Sequence, residues 1–385
     1  MKILLLAPQP FFVDRGTPIA VRAVAESLAA AGHQVDLVTF HGGRDVPMPG
    51  VRHVRAAKPP LVGDVPVGLS WQKLLCSLAL FATAFRLLRR ERHDCIHAVE
   101  DSVFLALALR LIGRQRLVYD MDSIMSDQII EKWPRARPLG RAMRGLERVA
   151  MRASDVVLAV CPALAQRAAA DAPAVPRFVL HDFPLWDDAG TAPRIRDPED
   201  GRITVLYVGN LQHYQGVALL LEAAALLPVD SAIDIVVVGG LAEDARRSGD
   251  GRVRCLGPMP LDCLPGLLVQ ADVLVSPRLH GVNTPMKVYS YMQAGRPILA
   301  TAILSHTQVL DEDCALLVAP TADALAQGLL ALERDAALRL RLGAAARARV
   351  ESRYSRARFE AILQEAYDGL KPSPSATLHT AQSAV

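Results

Sequence analysis

The chain has 385 residues, more than one ordinary α/β core holds and enough for two domains. Hydrophobic residues make up 51% and charged residues 22%, which excludes wholesale disorder. A net charge of +3 gives no ground for nucleic-acid binding, so any site for a charged partner is local.

The opening MKILLLAPQP carries a five-residue apolar run at 3–7 and no small-residue cleavage site, so it reads as a buried strand rather than a leader. Similar runs follow at 35–40, 95–98, 117–119 and 156–160. They do not alternate, as expected of parallel strands buried on both faces. Helical stretches separate them around 18–31, 71–90, 101–112, 137–152 and 162–170. The segment FPLWDDAGTAPRIRDPEDG then breaks the pattern and reads as an interdomain linker over 184–201. The alternation restarts with strands at 203–208, 233–238, 253–256, 273–276, 298–300 and 316–318. Helices fall near 216–227, 261–270, 285–294, 322–332, 335–349 and 355–369. The pattern predicts two doubly wound α/β domains, 1–183 and 202–354, with a disordered tail at 371–385. Open sheets of this kind bind ligands at the carboxyl ends of their strands, so two of them facing across a cleft would suit a two-substrate enzyme.

Six cysteines, at 76, 95, 161, 255, 263 and 314, form no Cys-x-x-Cys pair and read as core residues in a reducing compartment. No run reaches about 18 uninterrupted apolar residues, so no spanning helix is expected.

Each half contains a Thr-Pro near a helix start: Asp14-Arg15-Gly16-Thr17-Pro18 and Val282-Asn283-Thr284-Pro285. Thr or Asn would cap the free N–H groups, and Pro fits the first helical position. Gly32 and Gly295 suit the ends. Such N-termini attract phosphate. In the second, Lys287 lies in the first turn and Arg278 follows the preceding strand in Ser276-Pro277-Arg278, so a diphosphate would complete the group.

Several segments resemble the family-4 glycosyltransferases. SPRLHGVNTPMKVYSYMQAGRPILAT resembles their donor-site segment, and YVGNLQHYQGVALLLEAAALL their Val-Gly turn and following helix. VRCLGPMPLDCLPGLLVQADVLVSP, which contains Gly257, resembles their base-binding loop. APQPFFVDRGTPIAVRAVAESLAAAGHQVDLVTF resembles their first loop, with Gly16 as its glycine. The resemblance spans roughly residues 1 to 370. It implies a GT-B fold, with two facing Rossmann-like domains, an interdomain cleft and a last helix, 355–369, returning to the first domain. It also implies transfer of a sugar from a nucleoside diphosphate donor to a glycan or lipid-linked acceptor, with retention of configuration and without metal or other cofactor. The chain departs from the family where Arg and Lys usually hold the diphosphate; here stand Asn210 and Gln215. The Glu-x7-Glu motif is also missing, with Ser290 in the ribose-binding place and Val282 or Gly281 in the other. Lys287 and Arg278 restore two cations. The donor set is thus Gly16, Asn210, Gln215, Gly257, Arg278, Asn283, Thr284, Pro285, Lys287 and Ser290.

On the first-half side, Asp120-Met121-Asp122-Ser123 ends a strand. Asp122 stands where the family places a His near the reacting carbon, which makes it a catalytic candidate together with His97; Glu100 closes the same strand end as His97. The Asp-x-Asp is read as sugar-hydroxyl acceptors or helix caps, not as a metal site.

Arg137, Arg141, Arg144, Arg148 and Arg152 share one helical face, with Leu139, Met143, Leu146 and Ala150 on the other. A solvated face is the first reading, and contact with an anionic membrane through Arg137, Arg141, Arg144 and Arg148 the second. The apolar helix 71–90, with Trp71, Leu74, Leu75, Leu78, Phe81, Phe85 and Leu88, reads as core; exposed, it would favour a lipid-linked acceptor. The location expected is cytoplasmic, with a peripheral place on the inner membrane face as the second option. The rival functions are an epimerase or phosphorylase on the same fold, a non-catalytic nucleotide-sugar-binding protein, and a dehydrogenase. The last would need Gly-x-Gly-x-x-Gly after the first strand, where 7–16 has one glycine.

Overall fold

Apolar runs too short for helices become strands with both faces covered, and they assemble into two separate parallel sheets. The computed structural model describes residues 1–60, 62–63, 70–132, 137–184, 186, 191–195, 201–240 and 251–370. The chain divides into two units: Met1–Leu180 with the chain from Glu360, and His181–Phe359.

In the first unit the elements run β1 (Lys2–Ala7), α1 (Gly16–Ala30), β2 (Gln34–Thr39), β3 (Val51–Arg55), α2 (Trp71–Arg90), β4 (Cys95–Val99), α3 (Ser102–Arg110), β5 (Arg116–Met121), α4 (Met125–Lys132), α5 (Arg137–Ala153), β6 (Val156–Ala159), α6 (Pro162–Asp171) and β7 (Arg177–Val179). The sheet order is β3-β2-β1-β4-β5-β6-β7. Leu5 of β1 pairs in register with Leu37 on one side and His97 on the other. The pattern reading omits β3, β7 and α4. The strands are the two edges of the sheet, VRHVR and RFV, only partly buried, so they lack the continuous apolar run of an inner strand.

In the second unit follow β8 (Ile203–Val208), α7 (Val217–Ala225), β9 (Ile233–Val238), β10 (Val253–Gly257), α8 (Leu264–Gln270), β11 (Val273–Ser276), α9 (Met286–Gln293), β12 (Ile298–Thr301), α10 (Leu304–Thr307), β13 (Leu316–Val318), α11 (Ala322–Arg334) and α12 (Ala336–Arg353). The last helix, α13 (Arg356–Asp368), ends the described chain. The sheet order is β10-β9-β8-β11-β12-β13. Successive residues of β9 serve opposite cores: Val236 and Val238 pack on one face, Ile235 and Val237 on the other. Burial on both faces explains the unbroken IDIVVV run.

From Glu360 onward α13 belongs to the first unit, where the Tyr367 hydroxyl meets His97 Nδ1 at 2.8 Å. The chain passes between units at Leu180 and His181, and part of the expected linker is not free. Ile195 is buried in the second unit's core, its N–H donates to Gln270 Oε1 at 3.0 Å, and Arg254 donates to its carbonyl. The tail at 371–385 lies outside the described residues.

Candidate functional site

In the second sheet the strand order reverses between β8 and β11, and a crevice for ligands opens at the carboxyl ends of strands at such a point. The residues after these two strands are Gly209-Asn210 and Pro277-Arg278. The two loops are locked together. The Leu279 N–H donates to the Tyr214 carbonyl at 2.9 Å. Gly216 closes the short 3-10 turn His213–Gln215 at φ 72°, and a Cβ there would lie 1.9 Å from the Pro277 carbonyl oxygen, so only glycine fits. Beside them the ends of β8, β9 and β10 are in backbone contact: the Gly239 N–H donates to the Gly257 carbonyl at 2.8 Å, and a Cβ on Gly239 would meet the Gly209 carbonyl at 1.8 Å.

Arg278 is buried and folds back on its own loop. It donates to the His280 carbonyl at 2.9 Å, to the Asn283 carbonyl at 3.3 Å and to Asn283 Oδ1 at 3.2 Å, with its guanidinium 5.2 Å from the Tyr214 ring centre. Its own carbonyl accepts from Thr301 Oγ1. Behind it, buried His306 donates from Nδ1 to the Thr301 carbonyl at 2.8 Å, which leaves Nε2 to accept from Ser276 Oγ at 2.9 Å. Burial pushes His306 down to about 4, so it serves as a neutral brace under the β11 and β12 ends.

Lys287, half-buried, stands in the first turn of α9. Its Nζ donates to Gln215 Oε1 at 3.2 Å and lies 4.0 Å from the Tyr207 ring centre. Burial first, and the Arg278 charge second, hold it well below the ordinary lysine range. Tyr207 in turn donates to the Asn210 carbonyl at 2.6 Å, and the Tyr291 hydroxyl accepts from the Val208 N–H at 2.8 Å.

The start of α9 differs from the expected one. Pro285 is the N-cap residue, with ψ 128°, and makes no side-chain cap; the helix proper begins at Met286. Asn283 spends its side chain on Arg278. Thr284 Oγ1 and, further along, Ser290 Oγ are buried with no hydrogen-bond partner among the described residues. The parallel in the first unit also fails. Helix α1 begins at Gly16 with Arg15 as an unbonded N-cap, so Thr17 and Pro18 are second and third helical residues. Pro is tolerated there because the first N–H groups of a helix have no intrahelical acceptor. Gly16 is exposed, and a Cβ on it would meet nothing within 4 Å.

The structure thus joins Gln215 to Lys287 and Arg278 to Asn283 by direct contact, with the Arg278 charge felt at Lys287 and Thr284 and Pro285 at the start of α9. Asn210 is exposed and turns its Oδ1 to the Gln212 N–H at 3.1 Å, in the loop just beyond Tyr207. Tyr207, Tyr291, Thr301 and His306 escape sequence reading because each acts on a residue remote in the chain; the apolar setting of the two tyrosines marks them only as core.

In the first unit His97 is fully buried, between Tyr367 at 2.8 Å and Asp120 Oδ2 at 3.1 Å. It reaches no surface and braces Tyr367 and Asp120 within the first unit. Asp120 is likewise occupied, so the Asp-x-Asp does not present a matched pair. Asp122 stays half-buried just beyond β5. Glu100, at the end of β4, is the one described non-glycine residue at positive φ, 50°. Burial raises its carboxyl, against the pull of Lys73 and with Asp101 and Asp120 adding to the rise. Ser123 Oγ faces it at 3.5 Å, and Lys73 pairs with Asp101 at 3.1 Å. Strain and raised basicity mark functional carboxylates, which makes Glu100 a stronger candidate than His97.

The basic helix does not present one free arginine face. Arg144 pairs with Asp127 at 3.0 Å and Arg148 with Asp171 at 3.1 Å, while Arg152 donates to the Asp171 carbonyl at 2.8 Å. Arg141 is exposed, and the Arg137 side chain lies outside the described residues. Glu147 is turned inward, accepting from the N–H and hydroxyl of Ser126 at 2.9 and 2.6 Å. With Glu147, Ala150 and Met151 inside, Leu139, Leu146 and Val149 are left exposed. Helix α2 also differs from the core reading: Trp71, Leu74 and Leu78 are more than half exposed. Although no spanning helix was expected, α2 is long and apolar enough to cross a membrane by length and composition. Its Cys76, Leu80, Thr83 and Ala84 nevertheless pack inside the unit.

Residues 15–182 match the family model of the glycosyl transferase 4-like domain, and residues 202–335 that of the glycosyl transferases group 1. Sucrose-phosphate synthase from Thermosynechococcus elongatus superposes with a TM-score of 0.77 at 23% identity, over 96% of this chain and 98% of that one. The Anabaena protein HepE in complex with UDP-glucose gives 0.71 at 17% identity, over 96% and 99%. A phosphatidyl-myo-inositol mannosyltransferase of Mycolicibacterium smegmatis is 31% identical over 179 residues, 44% of this chain and 46% of that protein. That match spans about half the relative's length. Two Rossmann-like parallel-sheet units of this kind are those of the GT-B fold. The chain belongs to the family-4 glycosyltransferases.

Proposed function

We propose that this glycosyltransferase is a retaining, metal-independent enzyme that takes a nucleoside diphosphate sugar as donor and a glycan or lipid-linked acceptor. One observation carries the donor half: the buried Thr284 hydroxyl at the mouth of α9, without a hydrogen-bond partner among the described residues, close in the chain to Lys287 and to the Asn283 that holds Arg278. The first N–H groups of α9 have no intrahelical acceptor, and the helix dipole adds partial positive charge. A diphosphate supplies the acceptors and the charge that this group lacks. The UDP-glucose bound by HepE and the sugar named in the mycobacterial relative support the donor class.

In the transfer proposed, the bond from the anomeric carbon to the diphosphate oxygen breaks. A bond to the acceptor oxygen forms on the same face, and the acceptor proton passes to the departing phosphate. Negative charge grows on the leaving group, where Lys287, Arg278 and the α9 N–H groups stabilise it. Asp122 takes the catalytic role toward the oxocarbenium-like centre, with Glu100 on the neighbouring strand end. Gly257 and Ser290 are assigned to the nucleoside, and Gly16 and Asn210 to the donor's remaining contacts.

The test is a thermal-shift and turnover screen of UDP, GDP and ADP sugars on the full chain and on Lys287→Ala. Donor affinity should fall at least about tenfold in the variant. Unchanged affinity would remove Lys287 from the site. Binding of a nucleotide sugar without turnover on any acceptor would favour the binding-protein alternative.

A second reading concerns the acceptor. Exposed Trp71, Leu74 and Leu78 on α2 and Leu139, Leu146 and Val149 on α5 support peripheral contact with a lipid surface on the cytoplasmic side, with exposed Arg141 supplying a cation on α5. None of the six cysteines is in a disulfide, in keeping with a reducing compartment.

A further inference from the structure

Half-buried Lys287 has no counter-charge among the described residues. The groups around it come from four places. Strand β8 and its turn supply Tyr207, Tyr214 and Gln215; the loop after β11 supplies Arg278; α9 itself supplies Tyr291; and α10 supplies His306. Among these there is an amide, three phenols, an imidazole and a second cation, and no carboxylate. Among the described residues no carboxylate pairs with Lys287. Its partners are the neutral Gln215 oxygen and the Tyr207 ring face.

Holding an ammonium in such a place costs desolvation that neither an amide nor an aromatic face offsets in full, and the Arg278 guanidinium adds repulsion. An amine makes the same hydrogen bond to Gln215 without that cost. We infer that Lys287 stands as the neutral amine before the donor binds and that the incoming diphosphate brings a proton onto it, so that donor capture and proton uptake are one event. This rests on the donor reading above. The proton comes from solvent, the amine becomes an ammonium, and two negative phosphates then face two cations rather than one. Burial already lowers Lys287 well below its ordinary range, and a bound polyanion reverses that shift. Without the donor, a second full charge beside Arg278 is thus avoided, and both groups are charged only around the ligand.

The experiment is titration calorimetry of the full chain with UDP, GDP and ADP at about pH 8.5, in two buffers of different ionisation enthalpy. At that pH histidine and the terminal phosphate have already lost their protons, so neither His306 nor the nucleotide contributes. The wild type should take up close to one proton per nucleotide bound. Lys287→Arg, which carries a permanent charge, should bind with no uptake. Gln215→Glu supplies a counter-charge, keeps the lysine protonated and should also abolish uptake, with weaker binding. A nucleotide that binds the wild type without proton uptake overturns this inference and leaves the donor reading standing. Uptake that persists in Lys287→Arg overturns it too. If none of the three nucleotides binds, the donor reading falls and this inference with it.

Discussion

The Nζ of Lys287 lies 4.0 Å from the centre of the Tyr207 ring, and the two residues are brought together from α9 and β8. The ring does two separate things. Its face lies against the Lys287 Nζ, and its hydroxyl donates to the Asn210 carbonyl at 2.6 Å. Tyr207→Phe keeps the face and should change donor affinity by less than about threefold, with a stability cost of about 1 kcal/mol for the lost hydrogen bond. Tyr207→Leu loses the face and should weaken donor binding by roughly 5- to 30-fold. Equal affinities in the two variants, measured by calorimetry, would show that the face contributes nothing.

Gly216→Ala should unfold the second unit early. The residue sits at φ 72°, and its Cβ would press on backbone, the Pro277 carbonyl, rather than on a side chain that can move. The expected loss is on the order of 2 kcal/mol or more, with a lowered Tm by calorimetry. A Tm within a degree or so of wild type would mean that the two loops are not locked as described.

His97→Ala should damage stability far more than turnover. The change leaves the Tyr367 hydroxyl and the Asp120 carboxylate without their buried partner and opens a cavity, a loss of about 3 kcal/mol. Activity per folded molecule should stay within about threefold. A drop of about a thousandfold at unchanged Tm would restore His97 as a catalytic group.

Acid should weaken the second unit before any carboxylate is involved. Burial lowers both His181 and His306 to about 4 in the folded chain, against an ordinary value of about 6.5 when unfolded. Between those values the unfolded chain binds more protons, so stability rises with pH in that window. It is fully present above about 6.5 and is lost as pH falls toward 4, on the order of 3 kcal/mol for each histidine. Melting of His306→Gln followed from neutral pH down to about 4.5 should show a shallower decline than wild type. An identical slope would remove His306 from the linkage.

The exposed row on α2 predicts lipid contact. Wild-type protein should sediment with vesicles containing anionic lipid, and the triple change Trp71→Ser, Leu74→Ser, Leu78→Ser should lower the bound fraction at least about fivefold. Arg144→Gln should leave binding almost unchanged, because that guanidinium is already paired with Asp127. Equal sedimentation of wild type and the triple variant would end the membrane reading.

The six strands of the second sheet and the five inner ones of the first are legible in the chain, because parallel strands buried on both faces must be apolar at consecutive positions. The edge strands β3 and β7 are not, because VRHVR and RFV break the apolar run with arginine and histidine and are only partly buried. The short α4 and α10 escape for a related reason, each having too few turns to show a period. The candidate site is half legible. Lys287 and Arg278 stand out as charges beside a helix start, while their partners lie far away in sequence: Gln215 is 72 residues from Lys287. Asn283 looked like a cap and proves to be the clasp on Arg278, since its side chain can take either hydrogen bond and the nearer guanidinium takes it.

Periodicity and turn residues already carry the two-sheet plan, the resemblance of whole segments carries the family, and local charge marks the stretch around Arg278 and Lys287. Tertiary structure alone decided which polar groups are free to act. Whether an arginine, a histidine or a lysine meets solvent, a carboxylate or an aromatic face depends on contacts between distant segments: Arg148 is engaged by Asp171, His97 by Asp120 and Tyr367, and Lys287 by Gln215 and Tyr207. A charge or a proton answers to everything within a few ångströms of it, and only the folded chain sets those distances.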